Sequence, residues 1–370
     1  MGLSNWYEID EVDTLVTPAL VVYPNRIESN IKSMISIAKD VTILRPHIKT
    51  HKIAEIIAMQ LHHGIRKFKC ATIAEAELLA LSGAQDILLA HQPVGVNIDR
   101  FINLQLKYRD IDFSTIVDNP KVLEKIGAAA KKHKVTISIW LDVNNGMNRT
   151  GAIPNRETAK LFYEIDKHPN LNARGIHVYD GHIHDSDYNI RKEKCDQAFQ
   201  LVLELKTYIE DLGLEVNAIV AGGTPTFAIH AQRKDIEVCP GTSLLWDYGY
   251  NKKYKELEFE YAALVIGHIV SKPKDNLICL NLGHKAIAAE MPFPRMQFLN
   301  FNMNREIMHS EEHLLIASKN PDAIEVGDIC YVVPTHICPT VAKYSHAVTV
   351  IDNKVTGSWE VAARDYTLNI

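Results

Sequence analysis

Between residues 19 and 222 the chain alternates repeatedly between short β-rich runs and amphipathic helical segments. The runs are ALVVY (19–23), VTIL (41–44), KFKCAT (67–72), DILLAH (86–91), DFSTIV (112–117), TISIWLDV (136–143), ARGIHVY (173–179) and VNAIVAG (216–222). Segments 25–39, 53–63, 74–83, 119–133 and 156–167 lie between them. In 190–212, Phe199, Val202, Leu203, Leu205 and Ile209 recur at helical spacing, and Gly213 stands where a C′ glycine would end the helix. Strands separated by helices pair in parallel through crossovers, and eight of them close a barrel. A doubly wound open sheet satisfies the same alternation, but the count favours α/β architecture of the TIM (β/α)8 type.

After about residue 253 the texture changes. FEYAALVIGHIV, NLICLNLG, HLLIAS, DICYVVP, HAVTVID and KVTGSWEVAA are β-patterned, with turn residues between them and hardly any helix. The expected organisation is a barrel over 17–252 and a C-terminal all-β domain over 253–370, joined by the acidic residues 1–16. Apolar residues at 46% and charged residues at 23% are ordinary for a soluble globular chain. A formal charge of −5 argues against a general nucleic-acid binder. No apolar run reaches the length of a membrane span, and the start, MGLSNWYEIDEVDTL, lacks the pattern of a secretory signal. Cysteines 70, 195, 239, 279, 330 and 338 form no CxxC pair, which suits reduced thiols and a cytoplasmic location.

In a barrel, residues just after a strand's C-terminal end form the active-site rim. RPHIKTHK (45–52) follows VTIL and places Lys49 there, with Pro46 enforcing an extended entry. Like charges on Arg45, His47, His51 and Lys52 would lower its pKa and expose the free amine that Schiff-base chemistry needs. Alone, the octet reads more readily as a solvated basic turn. AGGTPTF (221–227) follows the eighth candidate strand, where such barrels bind phosphate. Gly222 and Gly223 let backbone approach an anion, and Thr224 offers a hydroxyl; Gly241 and Thr242 of PGTSLLWD could complete the cradle. A rim lysine and a phosphate cradle together describe a pyridoxal phosphate site.

DVNNGMNRTG (142–151) puts Arg149 on a Gly-containing loop, within reach of a cofactor phenolic oxygen or a substrate carboxylate. HVYDGHIHD (177–185) offers Tyr179, Asp180, His182 and His184, of which Tyr179 is the chosen candidate. In PTHICPT (334–340), His336 and Cys338 are two apart. In an extended segment they would face one side, as a soft N/S pair suited to Zn²⁺. On its own, HxC is more often structural.

RPHIKTHK, NGMNRTG, VYDG, AGGT and THICPT, in this order over nearly the whole chain, resemble the D-threonine aldolase and D-serine dehydratase group. The resemblance implies an alanine racemase-like, type III pyridoxal phosphate fold, usually a homodimer with composite sites. It implies that Lys49 bears the cofactor, with Arg149, Tyr179, Gly222, Gly223, Thr224, Gly241 and Thr242 around it. It also implies that His336 and Cys338 bind a divalent metal at the substrate's β-hydroxyl, Zn²⁺ first, with Mn²⁺ or Mg²⁺ as alternatives. Aldolases of the group commonly have Asp as second ligand and dehydratases Cys, so Cys338 leans toward dehydration of a β-hydroxy D-amino acid such as D-serine. Asp180 after the tyrosine, and Gly241-Thr242-Ser243 in place of a Gly-Ser/Asn-Tyr turn, depart from the group's pattern. Retro-aldol cleavage is the alternative; a racemase or a non-catalytic cofactor carrier fits less well.

Overall fold

The computed structural model describes residues 5–318 and 320–370. A first strand, β1 (Ala19–Val22), is followed by β2 (Lys67–Cys70), β3 (Asp86–Leu89), β4 (Asp112–Val117), β5 (Ile137–Val143), β6 (Leu171–Val178), β7 (Ile219–Ala221) and β8 (Ile236–Val238). Strands β2 to β8 form one parallel sheet in chain order, with helices in the connections. Residues 44–47 join its two edges. Leu44 bridges Val238 and His47 bridges Lys69, both in parallel. The Arg45 N–H donates to the Val238 carbonyl at 2.9 Å, and Lys69 N–H donates to the Pro46 carbonyl at 3.0 Å. This segment is the eighth stave of the barrel.

The expected eight staves are therefore shifted by one. ALVVY belongs elsewhere, and the last stave is the three-residue β8, too short to stand out in sequence. VTIL is not a strand: Val41–Ile43 is a 3₁₀ turn whose Thr42 N–H is capped by Asp40 at 2.8 Å. The stave that follows contains Pro46, which has no N–H for a ladder, so pairing there is reduced to isolated bridges. The helices expected at 25–39, 53–63, 74–83, 119–133, 156–167 and 190–212 form within a few residues of those limits, and a further helix spans Val96–Lys107.

The barrel interior is layered. At the N-terminal ends of the strands the fully buried Arg45 guanidinium bonds Asp86 at 2.6 and 3.0 Å and Glu237 at 2.6 Å. Leu88, Ile116, Trp140, Val220 and Cys239 pack as an apolar layer. Polar side chains return at the C-terminal ends, where a TIM barrel does its chemistry.

The second unit contains β9 (Ala263–Lys274), β10 (Leu277–Leu280), β11 (Met296–Phe298), β12 (Met303–His309), β13 (Leu314–Ser318), β14 (Ile329–Pro334), β15 (His346–Ile351) and β16 (Lys354–Glu360). The sheet runs β12-β13-β10-β9-β1-β15-β16, and β14 pairs with β9 and β11. Strand β1 thus lies antiparallel to β9 and parallel to β15. All four of its residues are buried, and a continuous apolar run fits a buried strand of either sheet. Val21 and Tyr23 pack with Leu264, Ile266, Tyr331, Val333 and Val350.

Contacts divide the chain into one unit of residues up to Lys32, Thr50–Ile56 and Thr242–Arg364, and another of Ser33–Lys49, Ile57–Gly241 and Asp365–Ile370. The limits 17–252 and 253–370 with 1–16 follow sequence texture, whereas the backbone passes between the units several times. Among the described residues, no helix is long and apolar enough to cross a membrane.

Candidate active site

The stave at 44–47 runs into a 3₁₀ turn, Ile48–Thr50, that carries Lys49. The Lys49 N–H donates to His47 Nδ1 at 3.2 Å. The Lys49 side chain lines a cavity of about 540 Å³ with His47, Lys69, Asp142, Arg149, His177 and Tyr179. Three cations surround the Tyr179 ring: Lys49 Nζ at 5.9 Å, Lys69 Nζ at 5.8 Å and Arg149 Cζ at 4.9 Å from its centroid.

The basic octet itself contributes less charge than its composition promised. Arg45 is consumed by its carboxylates, away from the rim. His51 is fully buried, and burial holds its imidazole down at about 3, so it is neutral. The positive company of Lys49 comes instead from Lys69 and Arg149. Neither residue is its neighbour in sequence, which is why the octet pointed to the wrong charges.

The loop holding Arg149 is shaped by Asn144, whose Oδ1 accepts from Gly146 and Asn148 N–H at 3.1 and 3.0 Å. Gly151 has φ +96°, and a Cβ there would lie 2.5 Å from the Asn144 nitrogen, so only glycine closes the turn. Its N–H donates to Asp118 at 2.9 Å. At the cavity floor His177 Nδ1 and Asp142 are 2.6 Å apart, and both are buried. Burial, reinforced by the Lys69 charge, outweighs Asp142 and lowers the His177 pKa. The neutral ring therefore donates through Nδ1, and its buried Nε2 has no partner.

Behind Tyr179, Asp180 accepts from Thr226 Oγ1 and from His230 Nε2, each at 2.8 Å. Arg233 donates to His230 Nδ1, which fixes the imidazole proton on Nε2. Burial raises the Asp180 carboxyl, but His230 and Thr226 outweigh it and hold the net pKa below the usual carboxylate value. Asp180, Cys195 and His230 are close enough to hold a metal ion. However, the Arg233 guanidinium already lies 3.8 Å from Cys195 Sγ, and the His230 lone pair points at Arg233 rather than into the cluster. The cluster reads as a polar support that ties the Tyr179 loop to residues 222–226.

That support shapes the expected phosphate turn. Gly222 has φ +79°, and a Cβ on it would meet His230 Cδ2 at 2.8 Å and Thr226 Oγ1 at 2.9 Å. At Gly223 a Cβ would come within 3.0 Å of Tyr179 Cε2. The Gly241 N–H donates to Thr224 Oγ1 at 3.0 Å, which links the turns after β7 and β8. Glycines whose Cβ would press on Tyr179, Thr226 and His230, an orphaned His177 nitrogen and a rim lysine fit a phosphate-bearing aromatic cofactor.

In the other unit, His336 and Cys338 are not on one extended segment. His336 is extended (φ −136°) and precedes a short helix, Ile337–Val341, in which Cys338 occupies the first turn. Burial of Ile337 and Val341 drives that helix. The two groups nevertheless act on each other electrostatically. Burial pushes the Cys338 thiol up, but His336 and the hydroxyls of Thr242 and Thr50 more than offset it, so its pKa falls. Burial alone would lower the His336 pKa, but Cys338, followed by Asp247 and Glu290, raises it. The hydroxyls lie 3.2 Å (Thr50) and 3.5 Å (Thr242) from Cys338 Sγ. Glu290 Oε1 is 2.6 Å from His336 Nδ1 and orients the ring. A thiol of lowered pKa beside an oriented imidazole fits a soft divalent cation. Asp247, buried and pushed up to about 6, accepts the Ile337 N–H at 3.2 Å and steadies this helix start.

A family model described as the alanine racemase N-terminal domain matches residues 22–250, and one described as a putative serine dehydratase domain matches residues 262–350. The chain belongs to the alanine racemase-like family. Within it, the second match and the relatives set the chain in the D-threonine aldolase and D-serine dehydratase group that the motifs resemble. A D-threonine aldolase of Arthrobacter sp. is 26% identical over 363 residues, covering 97% of this chain and 95% of the relative. A D-threo-3-hydroxyaspartate dehydratase of Delftia sp. (strain HT23) is 26% identical over 283 residues, 71% of each chain. The crystal structure of a D-threonine aldolase from Filomicrobium marinum shares the fold with a TM-score of 0.85, at 24% identity, over 96% of this chain and 98% of that one.

Proposed function

We propose that the protein is a pyridoxal phosphate- and divalent metal-dependent lyase of β-hydroxy D-amino acids, with dehydration of a D-serine-like substrate favoured. The observation that carries this reading is Lys49 at the mouth of a closed barrel, in a cavity shared with Tyr179 and Arg149. Bound at Lys49, the cofactor supplies an electron sink for charge developing at the substrate Cα. Residues 222–224 with Gly241 and Thr242 would hold its phosphate, and Arg149 its phenolic oxygen. Tyr179 would set the ring's plane, itself fixed by the Asp180 network. Freed from the cofactor, Lys49 Nζ would take the Cα proton.

A divalent ion on His336 and Cys338 supplies Lewis acidity for a β-hydroxyl, a poor leaving group otherwise. Such a pair has no task in a racemase or a non-catalytic cofactor carrier. The thiolate ligand favours dehydration. Retro-aldol cleavage is the second reading, favoured by the 26% identity to an aldolase over 97% of this chain. Assembly as a homodimer and a cytoplasmic location belong to the same proposal.

Protein supplied with pyridoxal phosphate and Zn²⁺ is incubated with D-serine and, separately, D-threonine. Pyruvate or 2-oxobutyrate with ammonia supports dehydration; glycine with acetaldehyde supports the aldolase. Turnover of L-isomers or racemisation of alanine, with neither D-substrate consumed, contradicts the lyase.

A further inference from the structure

The stave that presents Lys49 is thinly paired. β5 is in register with β6 along its whole length, from Ile137 to Val143, whereas residues 44–47 meet β8 and β2 only through the bridges Leu44–Val238 and His47–Lys69. Pro46 has no N–H to add to a ladder. One side chain makes up the difference. Arg45 Nε donates to Glu237 on β8 at 2.6 Å. Its terminal nitrogens donate to both oxygens of Asp86 on β3, at 2.6 and 3.0 Å, and to the Phe68 carbonyl on β2 at 3.4 Å. A single fully buried guanidinium therefore holds the strands on either side of its own stave. Charge-assisted, two-pronged bonds of this kind are strong and geometrically exacting. They are also specific to one register. A slip of one residue would move the stave by about 3.3 Å and turn Arg45 away from the barrel interior. Arg174 and Lys67 also pair with Asp86 and Glu237, but they lie on β6 and β2, so they steady the carboxylates and not the stave.

We propose that Arg45 is a positioning residue for the cofactor lysine: its buried guanidinium locks the register of the stave that carries Lys49. The inference rests on the cofactor reading above. Between the anchor and the amine the backbone has little freedom. Pro46 fixes one φ, His47 Nδ1 accepts the Lys49 N–H at 3.2 Å, and Ile48–Thr50 is a 3₁₀ turn. Arg45 is not one of the cavity's lining residues, and Trp140 of the apolar layer lies against it, at 5.7 Å from Cζ to the ring centroid. It thus acts on Lys49 through the backbone and not through its charge. A reacting group misplaced by about 1 Å can lose roughly 10²-fold in rate, so a lock one layer below the cavity matters to the chemistry.

The test adds pyridoxal phosphate to the full-length protein, quenches samples with borohydride over time, and measures the pyridoxyl label at Lys49 by peptide mass spectrometry. Arg45→Met should slow that labelling by roughly tenfold or more. Arg45→Lys, which keeps the charge but loses the fork, should fall between Arg45→Met and the wild type. Arg174→Met removes another cation of the same network and should lower stability to urea while leaving labelling at the wild-type rate. Labelling of Arg45→Met at the wild-type rate overturns the proposal. Equal slowing by Arg174→Met also overturns it, because general destabilisation would then explain the effect. If Arg45→Met fails to fold, Arg45→Lys decides by the same criteria. Amide exchange of the cofactor-free protein gives an independent reading. The N–H groups of His47 and Lys69, which donate to the Pro240 and Pro46 carbonyls across the seam, should exchange faster in Arg45→Met than in Arg174→Met. Equal protection in the two variants refutes the lock. A wild type that takes no label at Lys49 would sink the cofactor reading, and amide exchange would then decide the register lock by itself.

Discussion

Replacing Asp180 by Asn should loosen both the barrel rim and the cofactor site. The carboxylate is 2% exposed and accepts two hydrogen bonds at 2.8 Å, from Thr226 Oγ1 and His230 Nε2. A bond to a charged acceptor is worth about 1.5–3 kcal/mol. Asparagine keeps one acceptor oxygen and places an NH₂ group on the other side. If the oxygen stays with Thr226, the NH₂ group opposes the His230 Nε2–H. His230 cannot relieve this by moving its proton, because Arg233 donates to Nδ1. One bond is therefore lost and a donor faces a donor in a buried site, an expected cost of about 2–4 kcal/mol. Thr226→Val, which removes a single bond, should cost less, and the double variant should fall short of the sum because the sites share a partner. Urea unfolding gives the stability change, and spectrophotometric titration gives the cofactor affinity, which should also fall. Asp180→Asn within about 0.5 kcal/mol of wild type, with unchanged cofactor affinity, would refute the reasoning.

Arg45→Met should destabilise the barrel by about 2–3 kcal/mol, because it removes the shared buried partner of Asp86 and Glu237 while Arg174 and Lys67 still pair with them; chemical denaturation measures this. His51 is held at about 3 against an ordinary 6.5, so the unfolded chain takes up its proton first as pH falls. Stability from this group is complete above its unfolded value and should drop by about 1.4 kcal/mol per pH unit between the two values. His51→Asn, whose Oδ1 can still accept the Ile53 N–H, should flatten that slope in a urea–pH series. Zn²⁺ retained by dialysed protein should be lost in His336→Ala and Cys338→Ala while cofactor absorbance persists; metal analysis with a visible spectrum on the same sample tests both.

Much of the architecture was legible because alternation of period-two and helical patterns is a local property. The shift of staves was not. ALVV is apolar on both faces, and nothing within four residues records whether β9 and β15 or a barrel neighbour will cover it. Residues 44–47 could not look like a strand while containing Pro46, and β8 is only three residues long. Within the site, Lys49, Arg149, Tyr179 and the glycine turns sit in recognisable strings. Lys69, His177 and Asp142 sit in ordinary strand sequence and converge only when the barrel closes. The His336–Cys338 pair was found for a geometric reason that does not hold, since an extended register was expected and a helix start brings the two groups together.

The claim on which the rest depends is that Lys49, and no other lysine, carries pyridoxal phosphate. Borohydride reduction of the cofactor-loaded protein, followed by proteolysis and mass-spectrometric peptide mapping, tests it directly. A pyridoxyl group on Lys49 alone, absent from Lys49→Ala, is the predicted result. A label on Lys52 or Lys69, or no label in a folded protein saturated with cofactor, would contradict it.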